Sequence, residues 1–148
     1  MKVYKANRNG FVVYLLAGIL LLTVVIFLLD RATFTEKPFI LLPLISPIAL
    51  LAWIYFDTSY SIENDRLRYR SAFIRGEINV GSIREIIVGK TMWNGVKPAL
   101  AKNGLIIKYN KYDDIYLAPE NNQELVADLL KINHTIEVVE QVPVSRLG

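Results

Sequence analysis

Two long apolar runs dominate the front of the chain. Phe11 to Leu29 is nineteen residues without a charge, and Phe39 to Phe56 is eighteen more. A bilayer core of about 30 Å takes roughly 20 helical residues at about 1.5 Å each, so both runs have spanning length. Fifteen residues of the first run and eleven of the second are Leu, Ile, Val or Phe. No charge opposes their insertion. Pro43 and Pro47 predict a kink in the outer half of the second helix, a cost that membrane helices tolerate. Joined by the polar link 30–38, the two runs predict a transmembrane hairpin over 11–56. A cleavable leader is the rival for the first run. Such a leader usually has an apolar core of about 7–15 residues and a small-residue cleavage site. Here the run is longer and ends in Leu29-Asp30-Arg31, so an uncleaved anchor is expected.

After residue 57 the pattern shifts to period two. Ser59 to Ile62 reads as a strand and Glu63-Asn64-Asp65 as a turn. Arg66 to Ser71 then alternates, with Leu67, Tyr69 and Ser71 on one face and Arg66, Arg68 and Arg70 on the other. Further strands are expected over Arg75 to Val80, through Ile87 to Gly89, over Gly104 to Asn110 and over Asp114 to Ala118, with a single helical turn near Ser82. The long connection Lys90 to Asn103 has no pattern of its own, and loops of this length in small domains are often functional or mobile. Pro119 suits the first position of a helix. Leu125, Val126, Leu129 and Leu130 make its apolar stripe, and Asn133 and His134 stop it. Residues 135–148 are expected to add a short strand through Val138 or to fray. The reading is an α-helical hairpin followed by a small α+β domain over 57–134, a curved antiparallel sheet or partial barrel closed by a C-terminal helix.

Charge changes the picture less than the total of +3 suggests. Residues 57–148 carry twelve basic and twelve acidic side chains, and the link cancels too. The whole excess is Lys2, Lys5 and Arg8, in a basic lead-in over 1–10, so the chain carries no nucleic-acid footprint. Lys and Arg number three in the lead-in, two in the link and four in residues 57–75. That asymmetry puts both termini on the cytoplasmic side. There is no cysteine, which excludes disulfides, thiolate catalysis and cysteine-ligated zinc.

Candidate chemistry is thin. Arg66, Arg68 and Arg70 share a strand face, with Arg75 nearby, and form a candidate site for anionic lipid headgroups. The plainer account is a solvated face that also meets the positive-inside bias. Lys90, Trp93, Lys97 and Lys102 make the long loop a candidate partner or interface contact, against ordinary packing of Trp93. His134 has no second histidine for a metal site. Asp113 and Asp114 are neighbours in a turn rather than a catalytic pair. No cofactor and no metal are expected, and no enzymatic activity.

From Tyr60 onward the chain resembles the bacterial pleckstrin-homology-like domains, in particular the YyaB-like group. The residues that carry this are Tyr60-Ser61-Ile62, Asp65-Arg66-Leu67, Val80-Gly81-Ser82-Ile83-Arg84-Glu85-Ile86, Pro98-Ala99-Leu100, Leu105-Ile106-Ile107-Lys108-Tyr109 and Leu117-Ala118-Pro119-Glu120. They cover about residues 58–133. The group's usual Ser, acid and Arg before the strand at Leu105 are here Ala101, Asn103 and Gly104, and its Ser-Pro is Ala118-Pro119. The resemblance implies a PH-like fold behind a two-span hairpin in a bacterial inner membrane, and no particular ligand. The expected function is a non-enzymatic scaffold that binds a protein or anionic lipid at the cytoplasmic membrane face. The alternative is an accessory subunit packed by its helices into a larger membrane complex.

Overall fold

A computed structural model describes residues 1–92, 94–95 and 97–141. Two apolar helices, α1 (Phe11–Leu29) and α3 (Leu41–Asp57), flank a short α2 (Arg31–Glu36) and a 3-10 turn (Pro38–Ile40). Both long helices are long and apolar enough to cross a bilayer, and none of either span is buried against the protein. Pro43 falls in the first turn of α3. There its missing N–H has no intrahelical acceptor to lose, which leaves only Pro47 inside the helix. The link is itself structured. Asp30 caps α2 by accepting from the Thr33 amide at 3.1 Å, and Phe34 folds back onto Phe27 with 5.5 Å between ring centroids.

The domain is built of two four-stranded sheets and one helix. The first sheet has the order β1 (Lys2–Lys5), β2 (Ser59–Glu63), β3 (Arg66–Ser71), β4 (Ile74–Asn79), all antiparallel. The second has the order β7 (Asp113–Leu117), β6 (Leu105–Tyr109), β5 (Ile83–Val88), β8 (Glu137–Glu140). The expected curved antiparallel sheet with a terminal helix is present, without closing into a barrel. A single antiparallel bridge, Ala6 to Pro119, joins β1 to the end of β7. Asn64 and Asp65 both take positive φ, 51° and 58°, as the two-residue turn between β2 and β3 demands. The alternation of residues 66–71 survives intact: Leu67 and Ser71 are buried and the three arginines are exposed.

Three features differ from the sequence expectation. The lead-in is not merely a flank, because Lys2–Lys5 is an edge strand whose register runs from Lys2 opposite Ile62 to Lys5 opposite Ser59. Pro119 does not open the helix. It is buried at the bridge to Ala6, and α4 (Asn122–Ile132) starts behind Asn121, whose side chain accepts from the Glu124 amide. The last strand, β8, runs parallel to β5, because α4 carries the chain back along the sheet before it pairs.

One core lies between the sheets and α4. Tyr4, Tyr60, Leu67, Ile86, Leu105, Ile115, Leu125 and Leu129 all belong to it. Helix α4 contributes Leu125, Val126 and Leu129, the stripe that its spacing predicts. Asn133 ends the helix and donates through Nδ2 to the carbonyls of Val80 and Ile83, 3.0 and 3.3 Å away.

The apolar hairpin therefore interrupts the domain. The chain forms β1, leaves through α1, returns through α3 and pairs β2 directly against β1. Only Ala6 to Gly10 separate β1 from α1, and only Thr58 separates α3 from β2. The helices thus leave from one end of the strands, the end marked by Lys5, Ser59 and Ser71.

Candidate functional site

The predicted arginine face is real, but most of it is neutralised. Arg66 pairs with Glu77, and Arg68 with Glu63 at 2.5 Å and Glu77 at 3.4 Å. Arg70 reaches Asp57, the last residue of α3, at 2.7 Å. These acids sit on the neighbouring strands and helix end. Their proximity depends on register, which no local spacing reveals. Exposed pairs of this kind contribute about 0–1 kcal/mol each, so they affect where charge is available more than stability. Arg75 stands apart. Its Nε donates to the Ala72 carbonyl at 3.3 Å, and it pairs with no carboxylate among the described residues. A shallow cavity of about 390 Å³ opens beside Ser59, Ser61, Arg68, Arg70 and Arg75.

Across the first sheet these side chains fall into rows. Lys5 lies opposite Ser59, Ser59 opposite Arg70, and Arg70 opposite Arg75. This row sits at the helix end of the strands. The next row outward is Val3, Ser61, Arg68 and Glu77, where Glu77 already balances Arg68.

The long loop after β5 is fastened rather than free. Tyr60, fully buried, donates its hydroxyl to the Pro98 carbonyl at 2.6 Å and accepts from the Ala118 amide at 3.1 Å. Burial raises its pKa, against the opposing pull of the Ala118 amide. Tyr116 donates to the Ala101 carbonyl at 2.7 Å and accepts from the Gly104 amide at 3.0 Å. Gly10 closes the contact from the helix side: a Cβ there would stand 1.8 Å from the Leu100 carbonyl oxygen. Ala101 belongs to a small second cluster with Ile106, Tyr116 and Ala118, against which Met92 and Ala99 also pack. Of the predicted loop contacts, Lys90 and Lys102 are exposed and Lys97 is half-buried; Trp93 lies outside the described residues. Lys102 lines a cavity of about 500 Å³ with Asn7, Asn9, Phe11, Tyr14 and Asn103, at the start of α1. The loop and the arginine face are separate places, and only their helix-end members approach the hairpin.

Tyr60 carries no charge and stands in a strand motif that says nothing of a partner 38 residues on, so sequence reasoning missed it as the loop's anchor. Tyr60→Phe is expected to cost about 1–3 kcal/mol, because it leaves the buried Ala118 amide without an acceptor. Denaturant unfolding of the full chain in detergent checks it.

β1 is held by a charged clasp on α4. Lys2 Nζ lies 2.5 Å from Asp128 and 2.9 Å from Glu124, and the Tyr4 hydroxyl donates to Asp128 at 2.5 Å. The Lys2 ammonium and then the Tyr4 hydroxyl hold the Asp128 carboxyl well below the usual carboxylate range. Its native value is lower than its unfolded one, so its stabilising contribution is present above about pH 4 and is lost as pH falls below that. The denaturant midpoint of the full chain in detergent should therefore fall as the pH drops through this range, and Asp128→Asn should lower the neutral-pH midpoint slightly and flatten that dependence.

Among the described residues the candidate acids and the histidine stand apart. His134 is exposed past the end of α4. Asp113 and Asp114 open β7, and Asp113 accepts from Asn110 Nδ2 at 2.8 Å. Among the described residues, no three His, Asp or Glu side chains cluster as metal ligands would.

Comparison with known proteins agrees with this architecture. The family described as bacterial PH domain matches residues 58–133, that is, β2 through α4; β1 and the hairpin lie before the matched span. The uncharacterized protein YyaB of Bacillus subtilis (strain 168) is similar, 23% identical over 99 residues. The alignment covers 66% of this chain and 66% of that protein, so the chain spans just under two thirds of its relative's length. No solved structure matches. With more than half its length matched, the chain belongs to the bacterial PH domain family.

Proposed function

We propose that this protein is a membrane-anchored binding module, a scaffold whose PH domain is held against the cytoplasmic face of a bacterial membrane and recruits a protein or lipid partner there without catalysis. One observation carries the reading. The hairpin is spliced between two hydrogen-bonded strands, so the domain hangs from both helices with no flexible linker. A domain pinned in this way has a fixed orientation and a high effective concentration at the surface, which is what a scaffold requires. Arg8 supports the same reading. Its guanidinium lies 5.1 Å from the Tyr55 ring and 5.8 Å from Phe56, where an aromatic belt meets a basic flank.

The cysteine-free chain makes the topology direct to test. A single cysteine at position 36, in the link, should react with an impermeant maleimide on intact cells. One at position 112, on the far turn of the domain, should react only after lysis. Labelling of position 112 from outside would reverse the orientation, and labelling of neither or both on intact cells would end the hairpin reading.

A second reading, an accessory subunit, is favoured by the open face of α1. A groove of about 270 Å³ lined by Phe11, Tyr14, Leu15, Gly18, Ile19 and Leu22 has nothing near Gly18, which suits close approach of another helix. Specific membrane proteins co-purifying with the wild type but not with Gly18→Leu would support it.

A further inference from the structure

We propose that the helix end of the domain is a docking surface for anionic phospholipid headgroups of the bilayer its own hairpin spans, with Lys5, Arg70 and Arg75 as its cationic row and Phe73 as its anchor. This rests on the membrane reading above and goes further by naming the ligand and the residues.

The first observation is the row itself. Arg70 and Arg75 are directly opposite on adjacent strands, and like charges in that position repel. Lys5 extends the row across two more strands. Among the described residues the carboxylate that reaches it is Asp57, on Arg70. By contrast, the acids of β2 and β4, Glu63 and Glu77, pair with Arg66 and Arg68 further from the helices. Unrelieved positive charge is therefore concentrated at the end that faces the bilayer. An anionic surface there turns a local cost into a gain.

The second observation is independent of charge. Phe73 sits at the tip of the β3–β4 turn and is 69% exposed, although it is a large aromatic. Ala72 before it takes a positive φ of 50° to make the turn tight. The tip is not adrift: Ser71 Oγ lies 2.8 Å from Thr58 Oγ1 in a buried contact, and Thr58 in turn donates to the Ile54 carbonyl of α3 at 2.6 Å. Phe73 is thus fixed beside the last turn of a spanning helix, at the depth where aromatic side chains favour the interface. On the other flank, Lys102 with Phe11 and Tyr14 repeats the pairing of cation and aromatic. The opposite end of the domain carries the exposed Asp65, Asp113 and Asp114. There Arg66, Lys108 and Lys111 stand beside those acids, with Lys108 directly opposite Asp114, so charge at that end is balanced.

The test uses the full chain with one nitroxide per sample, reconstituted in nanodiscs of phosphatidylcholine alone or with phosphatidylglycerol. Positions 73, 21 (mid-α1) and 112 are labelled in turn. The expected result is a label at 73 shielded from a water-soluble relaxant and open to oxygen in the anionic discs, and less so in the neutral ones. Lys5→Gln with Arg75→Gln, which leaves the Arg70–Asp57 pair intact, should abolish the difference in shielding at 73 between the anionic and the neutral discs. The spectrum at position 112 should stay unchanged, as expected of a folded domain. A water-exposed label at 73 in both lipids, with position 21 buried in lipid, overturns the docking surface alone. Shielding at 73 that ignores both phosphatidylglycerol and the double substitution overturns the cationic row. A label at 21 that is not in lipid overturns the membrane reading itself.

Discussion

Tyr4→Ala should destabilise the domain by about 3–5 kcal/mol, the usual cost of deleting a large buried aromatic. Four residues from the start of the chain, in a stretch that reads as a basic flank, such an effect would be out of place. The structure gives its reasons. Tyr4 is 5% exposed, lies opposite Tyr60 in the sheet and belongs to the main core. Its hydroxyl also donates to Asp128, so truncation removes one arm of the clasp between β1 and α4. A small domain has about 5–15 kcal/mol in total, so this one substitution takes a large part of the margin. Tyr4→Phe should separate the two contributions, keeping the packing and losing only the hydrogen bond. Denaturant titration of the three proteins in detergent measures the difference. Equal midpoints for wild type and Tyr4→Ala would mean that β1 is not part of the fold.

The second large effect concerns the hairpin. A fragment of residues 57–148 lacks β1, and with it the buried Tyr4 and Ala6 and the backbone pairing that covers β2. It should not fold cooperatively, because the loss approaches the whole stability of the domain. A chain in which about five Gly/Ser residues join Asn9 to Thr58 in place of the hairpin should fold and remain soluble. The short distance is available because Arg8 already rests on Tyr55 and Phe56 at the end of α3, and connections of this length are common between antiparallel neighbours. Calorimetry of the two chains compares them directly. A cooperative transition at the same temperature in both would refute the interrupted-domain architecture.

Much of the domain is legible in its pattern, for physical reasons that also explain what is not. Leu67, Tyr69 and Ser71 alternate with arginines because one face of β3 is buried. Leu125, Val126 and Leu129 recur at helical spacing because α4 covers the sheet along one stripe. β1 leaves no such mark. It is four residues long, and its partner is more than fifty residues away across two apolar runs. Lys2 reads as a topogenic charge, whereas in the fold it neutralises Asp128. The partners of the arginines are hidden for a related cause. Arg66 and Arg68 look available from their own strand, and only the pairing with β2 and β4 brings Glu63 and Glu77 to them. Pro119 likewise has the composition of a helix start, but the bridge to Ala6 claims it first.

Native-state hydrogen exchange of the full chain in nanodiscs tests the central claim, that the hairpin interrupts one continuous domain. The β1 amides bonded to β2 should be protected to the same degree as those of β2 and β3, since they open only with the domain. Exchange of residues 2–5 at the rate of unstructured chain, with β2 and β3 protected, would contradict it.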